Sequence, residues 1–174
     1  MRRRLRRIVR KVRQIRLSDH LKAILYPENL LENSIGNVEK DKCPTVQAFS
    51  YKCQRSRNDA GIPFGTTTPT ELHFTIRLGQ PDDGKVFYQQ LMQNNPFEHT
   101  FIFNATFDQN KRLKHYEDAM VARGYVVDIR EDYNPLKTDG QTVDQMLIEV
   151  TFLLSSITYL GKDDRNKKLE ITNF

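Results

Sequence analysis

From Thr45 onward, apolar and polar residues alternate in short runs divided by turn-forming clusters, the pattern of strands with one buried and one wet face. Glu71–Leu78 is the cleanest run: Leu72, Phe74, Ile76 and Leu78 share one face, and Glu71, His73, Thr75 and Arg77 the other. Val46–Arg57 precedes it, with Phe49, Tyr51 and Cys53 opposite Ser50, Lys52 and Gln54. Asn58–Gly61 and Pro63–Pro69, rich in residues that set special backbone angles, read as the loop between these strands. Glu98–Asp108 alternates through Phe101, Phe103, Ala105 and Phe107, with Thr100, Asn104 and Thr106 outward and Ile102 as the exception. Lys114–Tyr133 reads as two strand pieces joined at a Gly124 bulge, with helix as the alternative for 113–122. Asn134–Val143 reads as a polar insertion, Gln145–Leu160 as a long strand, 161–166 as a turn and Lys168–Phe174 as a last short strand.

One helix interrupts this series. Pro81-Asp82-Asp83 introduces Asp83–Asn94, and an acid at that position accepts backbone N–H bonds and complements the helix dipole. Val86, Phe87, Gln90, Leu91 and Asn94 share a side, a narrow stripe suited to docking on a barrel rim, and Asn95-Pro96 ends it. Upstream, Leu21–Tyr26 is a strand or a helical turn stopped by Pro27, and Glu28–Pro44 is polar loop. Six to eight strands with one helix and no β-α-β repetition predict a mainly β fold, an antiparallel barrel or sandwich with the helix packed at the barrel rim.

The chain has 174 residues and 38% apolar content, enough for one domain with a modest core, expected over 18–174. Charge is concentrated at one end. Arg2, Arg3, Arg4, Arg6, Arg7, Arg10, Lys11, Arg13 and Arg16 put +9 into the first 16 residues, and the remaining 18 bases and 22 acids leave the rest at −4. Leu5, Ile8, Val9, Val12 and Ile15 would form the apolar stripe of an amphipathic helix, but like-charge blocks repel, so residues 1–17 are expected to be a disordered or weakly helical leader. A nucleic-acid or membrane-surface arm is its functional alternative. Arg or Lys interrupts every apolar pair up to Arg16, so no secretory signal is read, and no stretch of about 20 apolar residues offers a membrane span.

Catalytic templates find no match. His20, His73, His99 and His115 are scattered without metal-ligand spacing, so no metal and no cofactor is expected. GxSxG, P-loop and GxGxxG patterns are absent. Asp82-Asp83 and Asp163-Asp164 sit where acids serve backbone turns. Cys43 and Cys53 form no disulfide framework; the neighbouring Lys52 and Arg55 could lower the Cys53 pKa, but no positioned base accompanies it, and a structural role is expected. Phe101, Phe103 and Phe107 are expected in the core and not as base-stacking platforms.

The order of pieces resembles one family. A strand ending in Arg55-Ser-Arg57, the loop Asn58–Pro63, the strand Glu71–Leu78 and the helix Asp83–Asn94 come first; Thr100–Phe107, Gly124–Val127 leading to Glu131–Tyr133, Met146–Ser156 and Ile157–Gly161 follow. From about Thr45 to the end this is similar to the Hcp (TssD) tube proteins of type VI secretion, in their compact divergent branch. The resemblance implies a non-enzymatic, helix-capped barrel, hexameric rings stacking into a hollow tube, and sheath, baseplate and spike components and secreted effectors as partners. It implies a protein cytoplasmic before firing and exported through the apparatus without a signal peptide. It also implies that the 57–69 loop, with Gly61, Pro63 and Phe64, contacts the next ring. A phage-like tail tube or baseplate subunit, a nucleic-acid-binding β domain with a basic arm and a small-ligand barrel are the rival readings; nucleic acid is not the partner expected.

Overall fold

The alternating runs fold into strands, six of which find a neighbour on each side. The computed structural model describes residues 14–15, 23–28, 30, 35–78, 84–138, 141–161 and 164–172. In chain order these form β1 (Gln14–Ile15), β2 (Ala23–Tyr26), β3 (Thr45–Arg57), β4 (Pro63–Leu78), α1 (Lys85–Leu91), β5 (Phe97–Phe103), β6 (Thr106–Phe107), β7 (Leu113–His115), β8 (Asp118–Thr138), β9 (Gln141–Gly161) and β10 (Asp164–Thr172). Pairing runs β3-β2-β5-β8-β9 and returns through β4, which bonds both β9 and β3, so six antiparallel strands close into a barrel. Closure leaves the barrel wall without free edges. β10 extends β9 past the point where β4 departs, and Gln14–Ile15 pairs with Ser50 and Phe49 of β3.

The barrel is full. Rings touch in sequence along its interior: Tyr159 to Tyr51 at 6.2 Å between centroids, Tyr51 to Phe49 at 5.8 Å, Phe49 to Phe101 at 4.7 Å and Phe101 to Phe74 at 5.1 Å. The series continues from Phe74 to Phe87 of α1 at 5.9 Å, then to His99 at 5.7 Å and Phe152 at 5.5 Å. Each buried ring contributes about 1.5–3 kcal/mol of transfer free energy. Gly84 sits where an added methyl would meet Ile148 and Leu78, which brings the start of α1 tightly onto the wall.

β5 is buried on both faces, which explains why Ile102 breaks the expected alternation. Phe101 faces the aromatic series, while Ile102 packs into a second cluster outside the wall with Leu30, Val38, Cys43, Leu113 and Tyr116. Thr100, expected outward, is buried there, donating from its hydroxyl to the Glu28 carbonyl (2.7 Å) and accepting from the Leu30 amide (3.0 Å). Short 3-10 turns at Ile35–Asn37 and Lys40–Lys42 and the β6–β7 ribbon complete this layer.

Four further expectations are corrected. The helix is shorter than Asp83–Asn94: it covers Lys85–Leu91, with Phe87 and Gln90 buried and Leu91 and Met92 exposed, so no apolar contact holds a further turn. Residues 79–83 lie outside the described set. Pro63–Pro69 is strand and not loop: it pairs with β3, and bulges at Lys52/Cys53 and Arg55/Arg57 place Pro63 and Pro69 where the ladder is already irregular. Asn134–Thr138 and Gln141–Val143 are ladder and not insertion, since β8 and β9 stay in register from Asn134 opposite Gln145 to Thr138 opposite Gln141. The expected strand Glu98–Asp108 is broken at Asn104, whose φ of 50° lies in the left-handed region. The Gly124 bulge is found as expected, between Arg123 and Gly124, and no helix occurs over 113–122.

A methyl at Gly124 would lie 2.0 Å from the Leu153 carbonyl oxygen, a backbone atom that cannot rotate away. Gly124→Ala is therefore expected to lower stability by about 2–3 kcal/mol. An unchanged urea midpoint would contradict that packing.

Candidate functional site

Reactive side chains are dispersed. Among the described residues no three His, Cys, Asp or Glu converge as a metal site. His73 is exposed on the outer face of β4, with Nδ1 3.1 Å from the Thr151 hydroxyl and Nε2 3.5 Å from Glu71. Burial, with Glu39 adding to it, pushes the Cys43 thiol up to about 12, so this sulfur stays protonated. Burial also raises Cys53, so the activation that Lys52 and Arg55 could have given does not occur.

His99 is the one fully buried histidine described, and its role is architectural. Its Nε2 lies 2.8 Å from the carbonyl oxygen of buried Gln90, so Nε2 carries the proton and donates across from β5 to α1. Nδ1 has no protein hydrogen-bond partner among the described residues. Burial among Phe87, Phe152 and Gln90 drives the imidazole down to about 4.

With the interior packed, the surfaces able to do something lie at the ends and on the outer wall. At one end β3 and β4 leave the barrel as a two-stranded ribbon. Its turn is closed by hydrogen bonds between Asn58 and Ile62 (amide to carbonyl 3.0 Å, Ile62 amide to Asn58 Oδ1 2.8 Å) and by Gly61 N–H to Asn58 O at 2.8 Å. Gly61 and Gly65 have φ of 74° and 71°, left-handed values that a side chain resists, and Arg55 Nε donates to Gly65 O at 2.6 Å. Pro63 pairs opposite Arg57. The result is a rigid tip presenting Ile62 and Phe64, 60% and 54% exposed. Gly61, Pro63 and Phe64 were expected here; Ile62 was not, although an apolar residue between Gly61 and Pro63 in a polar turn is itself a signal.

At the opposite end, where β3 begins, a hollow of about 510 Å³ is lined by Leu25, Pro27, Pro44, Thr45, Leu78, Val86 and Phe87, with Asp41, Lys42 and Arg77 among its polar walls. A smaller hollow of about 250 Å³ sits at the ribbon-side mouth between Tyr51, Phe103, Met120 and Tyr159. On the outer wall Tyr125 and Leu153 face each other across β8 and β9 and are exposed with Val127. The basic arm from Arg2 to Arg16 lies outside the described residues, apart from the Gln14–Ile15 pairing. No described helix is long and apolar enough to cross a membrane.

No family model matches the sequence, and no curated protein matches it. Solved structures do match. The chain is similar to a crystal structure of an Hcp protein, with a TM-score of 0.57 at 10% identity over 87% of this chain and 99% of that one. The Hcp1 protein from the E. coli EAEC 042 pathovar, in a doubly substituted form, matches with a TM-score of 0.52 at 16% identity over 87% of this chain and 97% of that one. A type six secretion system protein matches with a TM-score of 0.52 at 11% identity over 80% and 82% of the two chains. The chain has the Hcp fold.

The His99 environment sets a pH dependence. Its pKa is about 4 folded against 6.5 unfolded, so the unfolded chain takes up the proton first; stability is full above pH 6.5 and falls as pH drops toward 4. The loss is about 3 kcal/mol. Urea titrations at pH 7 and pH 4 should show a larger drop for the native chain than for His99→Gln, and equal drops would show that His99 is not neutral in the fold.

Proposed function

We propose that this chain, a β body with the Hcp fold, is a structural tube subunit of a type VI secretion apparatus: six copies close into a ring, and rings stack into a hollow tube. The observation that carries this reading is the overlay with an Hcp protein across 87% of this chain and 99% of that one. Other features support it. A barrel whose interior is filled by side chains has no room for an internal ligand, which speaks against the small-ligand reading. The scatter of reactive groups suits a protein that works through surfaces. Exposed Tyr125, Val127 and Leu153 on the outer wall, and Ile62 and Phe64 on the ribbon, are apolar areas that a neighbouring copy would cover.

In this role the ring uses heterologous contacts that close by rotation, and the stack uses contacts that do not close. The tube is driven outward by a contractile sheath from a baseplate behind a spike, carries effectors in its lumen, resides in the cytoplasm before firing, and leaves without a signal peptide. The ribbon tip, with Gly61, Pro63 and Phe64, is the contact to the next ring.

Phe64→Asp places a charge where an apolar contact is required, on a side chain more than half exposed in the single copy, so the fold is untouched. Electron microscopy of the purified variant should show rings retained and stacks shortened several-fold relative to the native chain. Stacks of native length would remove the ribbon tip from ring stacking.

A further inference from the structure

The ribbon tip and the larger hollow sit at opposite ends of one strand. β3 starts at Thr45, which lines the hollow, and ends at Arg57, which adjoins the tip. Twelve residue steps at about 3.3 Å put roughly 40 Å between them, so a tip cannot reach the hollow of its own chain. Placing donor and acceptor at opposite ends makes any contact between them head to tail, and a head-to-tail contact repeated without closing rotation builds an open stack.

We infer that the Ile62 and Phe64 tip of one copy seats in the helix-end hollow of the next copy along the tube, against Val86, Phe87, Leu78 and Pro44. This rests on the tube assignment above and identifies the acceptor that the assignment leaves open. Size agrees, since about 510 Å³ is space for two large apolar side chains, and the walls include the apolar residues just named. Charge agrees as well. Asp59 is the only ionisable side chain from Asn58 to Gly65. In the hollow, Asp41 is held by Lys111 at 2.6 Å and Lys42 by Glu39 at 3.1 Å, leaving Arg77 to give the site a positive balance. Neither Asp59 nor Arg77 has an ion-pair partner among the described residues of a single copy. The tip needs little ordering on docking, because the Asn58 to Ile62 hydrogen bonds and the Arg55 to Gly65 bond already fix it. The axial repeat of the stack would be no longer than about 40 Å, the length of β3.

The test uses two full-length variants with exposed substitutions, Ile62→Cys and Thr45→Cys, purified separately, mixed, assembled and oxidised with copper phenanthroline. A covalent dimer on a non-reducing gel should appear in the mixture at several-fold the level of either variant alone; the single variants control for native Cys43 and Cys53. Electron microscopy of the same samples separates the outcomes. Stacked rings without a mixture-specific dimer would overturn this docking site while leaving the tube assignment standing. Because native Cys43 itself lines the hollow, Ile62→Cys dimers at equal level without the Thr45→Cys partner, and retained when Cys43 is also replaced by Ala, would mean tip-to-tip contact and would also overturn it. Single particles with neither rings nor stacks would overturn the tube assignment, and this inference with it.

Discussion

Packing of aromatic rings inside a closed six-stranded wall is the constraint on which the rest of this molecule depends. Tyr51, Phe49, Phe101, Phe74 and Phe87 touch in sequence from the ribbon-side mouth to the helix, with centroids 4.7–5.9 Å apart along that series. Tilted and edge-on contacts at such distances are the favourable geometries for ring pairs. They draw on four different elements, so the wall cannot open at one seam without exposing the series. The helix is held by the same means: Phe87 inserts into the end of the series, and Gln90 accepts from His99 beside it.

A filled interior moves function outward. The wall has no free edge of its own, and what remains is a ribbon tip with two exposed apolar side chains, a hollow at the opposite end and an apolar outer face on β8 and β9. In the proposed reading, each is a surface for another copy of the chain. The chemistry of the described residues agrees with this: the thiols are driven upward by burial, and the buried histidine is held neutral to tie β5 to α1.

Alternation made the wall legible from sequence where one face is buried and the other wet, as in β4 from Glu71 to Leu78. It misled where that premise fails. β5 is buried on both sides, so Ile102 looked anomalous and Thr100 looked outward, because the layer formed by residues 35–44 and the β6–β7 ribbon has no periodicity to announce it. The Asn134–Val143 stretch fails in the other sense: its sequence shows no apolar alternation, although Asn134–Thr138 pairs residue for residue with Gln141–Gln145. Glycine and proline in Pro63–Pro69 suggested a loop, whereas bulges and a left-handed Gly65 accommodate them within β4. Of the proposed assembly surfaces, Gly61, Pro63 and Phe64 could be read from residue type; the hollow could not, because it is made by β2, β3, β4 and α1 meeting in space.

Whether this packed body meets copies of itself is the central question, and the mass of the particle answers it most directly. Native mass spectrometry of the purified full-length chain should give a predominant species of six copies of the 20.4 kDa chain. A single-copy mass at every concentration examined would contradict the account.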